Sequence, residues 1–185
     1  IKNLTPQKKM TQKKKPKKSQ KKNNPKTYIK NWLKTFVEVP HPVFAGMPPC
    51  PFARQARLKN KIKFNYYPSP AVWMDMYVDI VRCDFDKFDV LAMIIEADQF
   101  SAKETKRIAR DLNKEFNEDD LVILEDHPDI PEKVKKVSLN NGKYILFLAQ
   151  RLSKLTRFSN QLKNTKYYKN WTKAHLKDVV NWRGH

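Results

Sequence analysis

Two side chains stand where a reactive group would be useful. Cys50 directly precedes Pro51, at the start of a short helix predicted over Phe52–Leu58. A thiol there meets unpaired backbone N–H groups and the positive end of the helix dipole, with Arg54 and Arg57 within the next two turns. Both effects favour thiolate, so the position suits a nucleophile, a redox thiol or a metal ligand. It equally suits a small side chain buried in a tight turn. His127 follows an apolar strand predicted over Leu121–Glu125, in the run Asp126-His127-Pro128-Asp129. In α/β sheets, sites gather beyond the carboxyl ends of the strands. A histidine oriented there by Asp126 is placed as a general base, and beside Cys50 it would complete a Cys–His pair. The same run is also ordinary turn chemistry. Cys50, His127 and Asp126 are thus the candidate catalytic set, each with a structural alternative.

A cluster of cations, Arg54, Arg57, Lys59, Lys61 and Lys63, flanks Cys50. If the cluster and the helix start share a cleft, Arg54, Arg57 and Lys61 would bind a phosphate or carboxylate there. A solvated face beside Asp75 and Asp79 is the alternative. Glu96 and Asp98 end another predicted strand and are weaker candidates for the same sheet edge. Cys83, Trp73, Met74, Met76 and Tyr77 are read as packing residues. No Walker motif, dinucleotide fingerprint or Ser-His-Asp order is present, nor a metal-ligand spacing such as Cys-x-x-Cys. No cofactor is expected on these grounds.

The charge is distributed unevenly. The chain of 185 residues carries 38 Lys+Arg against 19 Asp+Glu. Residues 1–26 hold eleven lysines and no acid, residues 27–150 hold eighteen bases and eighteen acids, and residues 151–185 hold nine bases and one acid. A neutral body therefore lies between two cationic ends. The first 26 residues have no apolar period and are broken by Pro6, Pro16 and Pro25, so they are expected to be disordered alone. Lys13, Lys14, Lys15, Lys17, Lys18, Lys21 and Lys22 are the arm's candidate contacts to a polyanion, each releasing counterions on meeting a phosphate. At the other end, Tyr167, Lys166, Lys169, Lys173 and Arg183 interleave rings and cations, as in single-strand or phosphate-backbone binding. An amphipathic helix with its rings inside explains the same spacing.

The elements that must position these residues follow from periodicity. Thr27–Val37 predicts an amphipathic helix capped by Thr27 and ended by Pro40 and Pro42. Lys61–Tyr67 predicts a strand, Pro70–Cys83 a helix, and Asp89–Ala97 a buried strand. Ser101–Phe116 predicts a helix opened by a Ser101/Glu104 capping box. Leu121–Glu125 and Tyr144–Ala149 predict further strands, the last following an Asn140-Asn141-Gly142 turn and free to pair antiparallel. Gln150–Trp182 predicts two helices. The result is a small α/β domain over residues 27–150, with a mainly parallel, partly mixed sheet of about four strands flanked by helices. The basic aromatic tail, residues 151–185, is expected to pack on that domain.

Trp32-Leu33, followed by Cys50-Pro51-Phe52-Ala53-Arg54, resembles a bacterial domain-of-unknown-function family. Its members have a Trp-Leu helix leading into Cys-Pro-Phe-Ala and a later strand ending in His-Pro. The likeness spans roughly residues 30–149, with Leu121–Pro128 as the His-Pro strand. Here the loop before Cys50 is longer and richer in proline, and the two basic ends are additions. The resemblance implies an α/β fold and draws attention to Cys50 and His127. It implies no reaction.

Two Cys cannot form a disulfide-rich scaffold, and no apolar run reaches the roughly 18–20 residues of a membrane span. No apolar stretch follows the N-terminal lysines as in an export signal, so a cytoplasmic location is expected. Three classes of function remain. The first is a protein that binds RNA or DNA through its ends. The second is a small enzyme or redox protein with a Cys50/His127 cleft for an anionic substrate. The third is a component of a larger nucleic-acid assembly.

Overall fold

A computed structural model describes residues 24–68 and 72–181. Helix α1 spans Pro25–Trp32 and runs on as one turn of π-helix, Leu33–Val37. Its cap is Asn24 rather than Thr27: the Asn24 side chain accepts from the Lys26 N–H at 3.0 Å. Pro25 then occupies the first turn, where its missing N–H costs nothing. A 3-10 turn at Pro42–Phe44 and helix α2, Ala53–Leu58, follow. Strand β1 is Ile62–Tyr67, α3 is Val72–Arg82, β2 is Val90–Glu96, α4 is Ala102–Phe116 and β3 is Leu121–Asp126. A short hairpin, β4 (Lys133–Val134) and β5 (Val137–Ser138), leads to β6, Tyr144–Arg151. The tail forms α5 (Leu152–Lys163), a 3-10 turn (Tyr167–Asn170) and α6 (Lys173–Val179).

The main sheet has the order β1-β2-β6-β3. β1 pairs parallel with β2, and β6 runs antiparallel between β2 and β3. The fold is the small α/β domain with a mixed four-stranded sheet that the periodicity implies, but the mainly parallel pairing expected is corrected: two of the three pairings are antiparallel, because β6 inserts between β2 and β3. Both faces of the sheet are covered, which is why β2 reads as a continuous apolar run. Leu91, Met93 and Ile95 of β2, with Ile145 and Phe147 of β6, face Met76 and Ile80 of α3 and Ala109, Leu112 and Phe116 of α4. Ile94 and Leu146 face the other way, onto Ile29 and Trp32 of α1. Each large side chain fully buried in these layers contributes about 1.5–3 kcal/mol of transfer free energy.

The capping box at α4 forms as expected, Ser101 accepting from the Glu104 N–H and Glu104 from the Ser101 N–H. In the last turn of α4, buried Asn113 reaches the outer edge of β3. Its oxygen accepts from the Ile123 N–H at 2.8 Å and its nitrogen donates to the Ile123 carbonyl at 2.7 Å. An edge strand under a helix would otherwise carry unpaired polar groups, so Asn113 stands in for a missing neighbour. One expectation on α3 is corrected. Met76 is buried, but Trp73 and Met74 are 54% and 52% exposed, because the face of α3 turned to the sheet is the Met76/Ile80/Cys83 line.

Candidate functional site

His127 and Asp126 lie where the strand pattern places them, at the carboxyl end of β3. The ring is buried and both its nitrogens are engaged. The Asp129 N–H donates to Nδ1 at 3.0 Å, and Nε2 lies 3.0 Å from the Phe100 carbonyl. An acceptor at Nδ1 fixes the tautomer, so Nε2–H donates to Phe100. The ring ties the end of β3 to the start of α4, and neither nitrogen is left to serve Cys50 or a substrate. The Cys–His pair is therefore absent from this structure.

Asp126 is oriented by Asn141 instead. Its Oδ2 accepts from the Asn141 N–H at 3.0 Å and from the Asn141 amide at 2.6 Å, while its Oδ1 is buried without a partner. Burial pushes its carboxyl up from the usual value, against the lowering by the Asn141 bonds and by His127. The folded chain thus holds this proton more tightly than the unfolded chain. The resulting stability is present in acid and is lost as pH rises from the ordinary carboxylate range, about 4, through the raised value. Asp126→Asn is expected to remove that loss, gaining stability relative to the parent at neutral pH. Urea unfolding at about pH 4 and about pH 7 measures it, and parallel curves for parent and variant would contradict it.

Cys50 sits two residues before the N-cap of α2, in a turn where its N–H donates to Val37 at 3.1 Å and its carbonyl accepts from Ala53 at 3.2 Å. Burial pushes the thiol up. The backbone bonds of Phe52 and Ala53 lower it by less, and Glu38 adds to the rise. The expected thiolate is corrected on this ground: desolvation outweighs the helix start. At neutral pH Cys50 should react with a thiol reagent more slowly than an unhindered cysteine. Timed alkylation resolved by mass separates it from buried Cys83, and fast modification would restore the nucleophile reading.

The cation cluster beside Cys50 is partly spent within the fold. Arg57 grips Glu38 with two bonds, Nε to Oε1 at 2.6 Å and the second nitrogen to Oε2 at 2.8 Å. It clamps α2 to the end of the π-helical turn rather than presenting a free fork. Lys61 donates to the Asp86 carbonyl at 3.3 Å. Arg54 is exposed. At the carboxyl end of β1, a cavity of about 330 Å³ is lined by Tyr66, Tyr67, Pro68, Asp75, Val78 and Asp79. Both of its hydroxyls are engaged: Tyr67 donates to Asp79, and Tyr66 donates to Glu96 at 2.7 Å. The Glu96 bond, chiefly, pushes the Tyr66 hydroxyl up to about 12.

The tail divides its residues cleanly. Tyr167 is 3% exposed and stacks on Phe44 at 5.5 Å, with its hydroxyl on the Pro49 carbonyl. It joins Val134, Tyr168 and Trp171 in a small core of its own. Tyr167 is therefore corrected from a base-stacking ring to a packing residue, one of several that hold the tail on the domain. The cations point outward. Lys163, Lys166, Lys169, Lys173 and Lys177 are all exposed, and none forms an ion pair with another described residue. Lys154 and Arg151 are different, pairing with Asp89 at 2.6 Å and Asp86 at 3.0 Å. Arg183 and the arm lysines Lys13, Lys14, Lys15, Lys17, Lys18, Lys21 and Lys22 lie outside the described residues.

One feature of α5 escapes a reading by composition. A shallow, open surface on its outer side is lined by Thr156, Arg157, Asn160, Gln161 and Asn164, with Asp120 and Ser153 at its start. The signal is the complement of the Leu152, Leu155, Phe158, Leu162 stripe, because positions opposite an apolar stripe face water. Asp120 is occupied by the helix start, accepting from the Ser153 N–H at 2.7 Å and its hydroxyl at 2.6 Å.

Among the described residues no three His, Cys, Asp or Glu side chains gather as a metal ion requires. No described helix is long and apolar enough to cross a membrane. No protein-family model, curated protein or solved structure matches the chain.

Proposed function

We propose that the protein binds a polyanion, a nucleic acid, through its cationic ends. The observation that carries this is the run Lys163, Lys166, Lys169, Lys173 and Lys177. These lysines are exposed, without ion pairs to other described residues, on a segment anchored to a charge-balanced body. Solvated lysines held on a folded surface lower the free energy of a phosphate backbone chiefly by releasing its counterions. The N-terminal lysines add reach to this surface, and the body serves as scaffold. An enzymatic reading based on Cys50 and His127 has less support, since the ring is consumed structurally and the thiol is held protonated.

The test is binding of labelled duplex DNA and single-stranded RNA to the full chain at two salt concentrations. Affinity should fall steeply with salt, by about three orders of magnitude or more between roughly 50 and 200 mM if six or more phosphates are contacted. Replacing Lys13, Lys14, Lys15, Lys17, Lys18, Lys21 and Lys22 by Gln should weaken binding and flatten the slope. Absence of salt-sensitive binding to either nucleic acid would overturn the proposal. Unchanged binding in the Gln variant would confine it to the tail.

A further inference from the structure

The lysine run has no means of telling one sequence from another, and the face of α5 beside it carries groups of a different kind. Arg157, Asn160, Gln161 and Asn164 stand at spacings of three, one and three residues on one exposed stripe. The side chains of Arg157, Asn160 and Gln161 form no hydrogen bond with any other described residue. The Arg157 guanidinium lies 5.5 Å from the Phe158 ring, which stacks on Phe52 at 3.9 Å, so the base of the stripe is braced by packing. The composition of the stripe is unusual for this chain. Lysine recurs along both ends of the chain, yet between Lys154 and Lys163 there is none. Planar amides and a guanidinium stand there instead, the groups that pair in bidentate fashion with base edges, Asn and Gln with adenine and Arg with guanine.

The dimensions also fit. From Ser153 to Asn164 the stripe is about 17 Å long at 1.5 Å per residue. A helix of that kind enters a major groove about 12 Å wide and would follow about five base pairs. The cations begin where the amides end, at Lys163, and continue through Lys166, Lys169 and Lys173. Phosphate contacts that set register beside base contacts that specify sequence is the division of labour seen in DNA-binding helices.

We propose that α5 is a recognition helix, whose Arg157, Asn160 and Gln161 read base edges in the major groove of duplex DNA while Lys163, Lys166, Lys169 and Lys173 hold the adjoining phosphates. This rests on the nucleic-acid reading above and narrows it to sequence-preferring duplex DNA.

The experiment is selection from a pool of randomised duplexes with the full chain, followed by affinity measurements on the enriched and scrambled sequences. A short motif of about five base pairs containing guanine and adenine is expected. Asn160→Ala combined with Gln161→Ala should reduce the preference for that motif by about tenfold or more, leaving affinity for scrambled duplex and its salt slope unchanged. Arg157→Ala should relax the guanine position. The three side chains are exposed on a helix, and circular dichroism confirms that the variants keep their helicity. Lys163→Ala, Lys166→Ala and Lys169→Ala together should weaken all duplexes alike and keep the motif. Salt-sensitive binding with no enriched motif, a motif indifferent to the three α5 substitutions, or tighter binding of single-stranded RNA without a duplex motif would each overturn the proposal while sparing the nucleic-acid reading. No binding of any nucleic acid at low salt overturns both.

Discussion

Asn141→Ala is expected to cost about 2–4 kcal/mol of folding stability, a large part of what a domain of this size possesses. Asn141 is 5% exposed. Its amide donates to Asp126 at 2.6 Å and to the Tyr144 carbonyl at 2.7 Å, and its oxygen accepts from the backbone of Lys143 at 3.1 Å and Tyr144 at 2.8 Å. Its carbonyl also receives the Tyr28 hydroxyl at 2.9 Å. One side chain therefore joins the end of β3 to the start of β6, and its backbone joins both to α1. Alanine would leave the Asp126 carboxyl and the first backbone groups of β6 buried without these partners, and such groups carry their full desolvation cost. Because the Asn141 bonds favour the ionised form of Asp126, part of the loss should disappear in acid, where the carboxyl is neutral. Urea unfolding near neutral pH gives the magnitude. A loss below about 1 kcal/mol would mean that water replaces the amide and that the network does not determine the fold.

The second large effect is on binding. Replacing Lys163, Lys166, Lys169 and Lys173 by Ala removes four exposed charges without touching the buried Tyr167 anchor. If each meets a phosphate, the slope of log affinity against log salt should become shallower by roughly 3–4, and affinity near 0.1 M salt should fall on the order of a thousandfold. Stability should scarcely change, because these cations pair with no described acid. Titrations of one labelled duplex at several salt concentrations measure both quantities. A slope unchanged within one contact would place the polyanion elsewhere, on the N-terminal arm.

Helices and strands were legible in this sequence wherever a local pattern determines them. The Ser101/Glu104 box opens α4 because the two side chains satisfy each other's N–H groups. The unbroken run in β2 betrays a strand covered on both faces. The position of β6 was not legible, since insertion between β2 and β3 depends on contacts about 20 to 60 residues apart that leave no periodic trace. The exposure of Trp73 and Met74 was hidden for a related reason. A helix with apolar residues on more than one face does not announce which line meets the sheet. At the candidate site, spacing located Asp126 and His127 correctly at a strand end. It could not reveal that Phe100 and Asp129 would occupy both ring nitrogens, or that Glu38 would take Arg57. Residue type proposes chemistry, and the partners supplied by distant loops decide whether that chemistry is available.

The order of the sheet has a consequence for biosynthesis. One of its two interior strands, Tyr144–Arg151, is the last of its four strands to leave the ribosome. Until it arrives, β2 and β3 each present an open edge flanked by apolar side chains, the feature that lets nascent chains pair with one another. At 5–20 residues per second this interval lasts several seconds after β2 emerges. A chain interrupted before Tyr144 cannot close its sheet at all. Such nascent chains are natural clients for chaperones, and truncated forms of this protein should accumulate in the insoluble fraction.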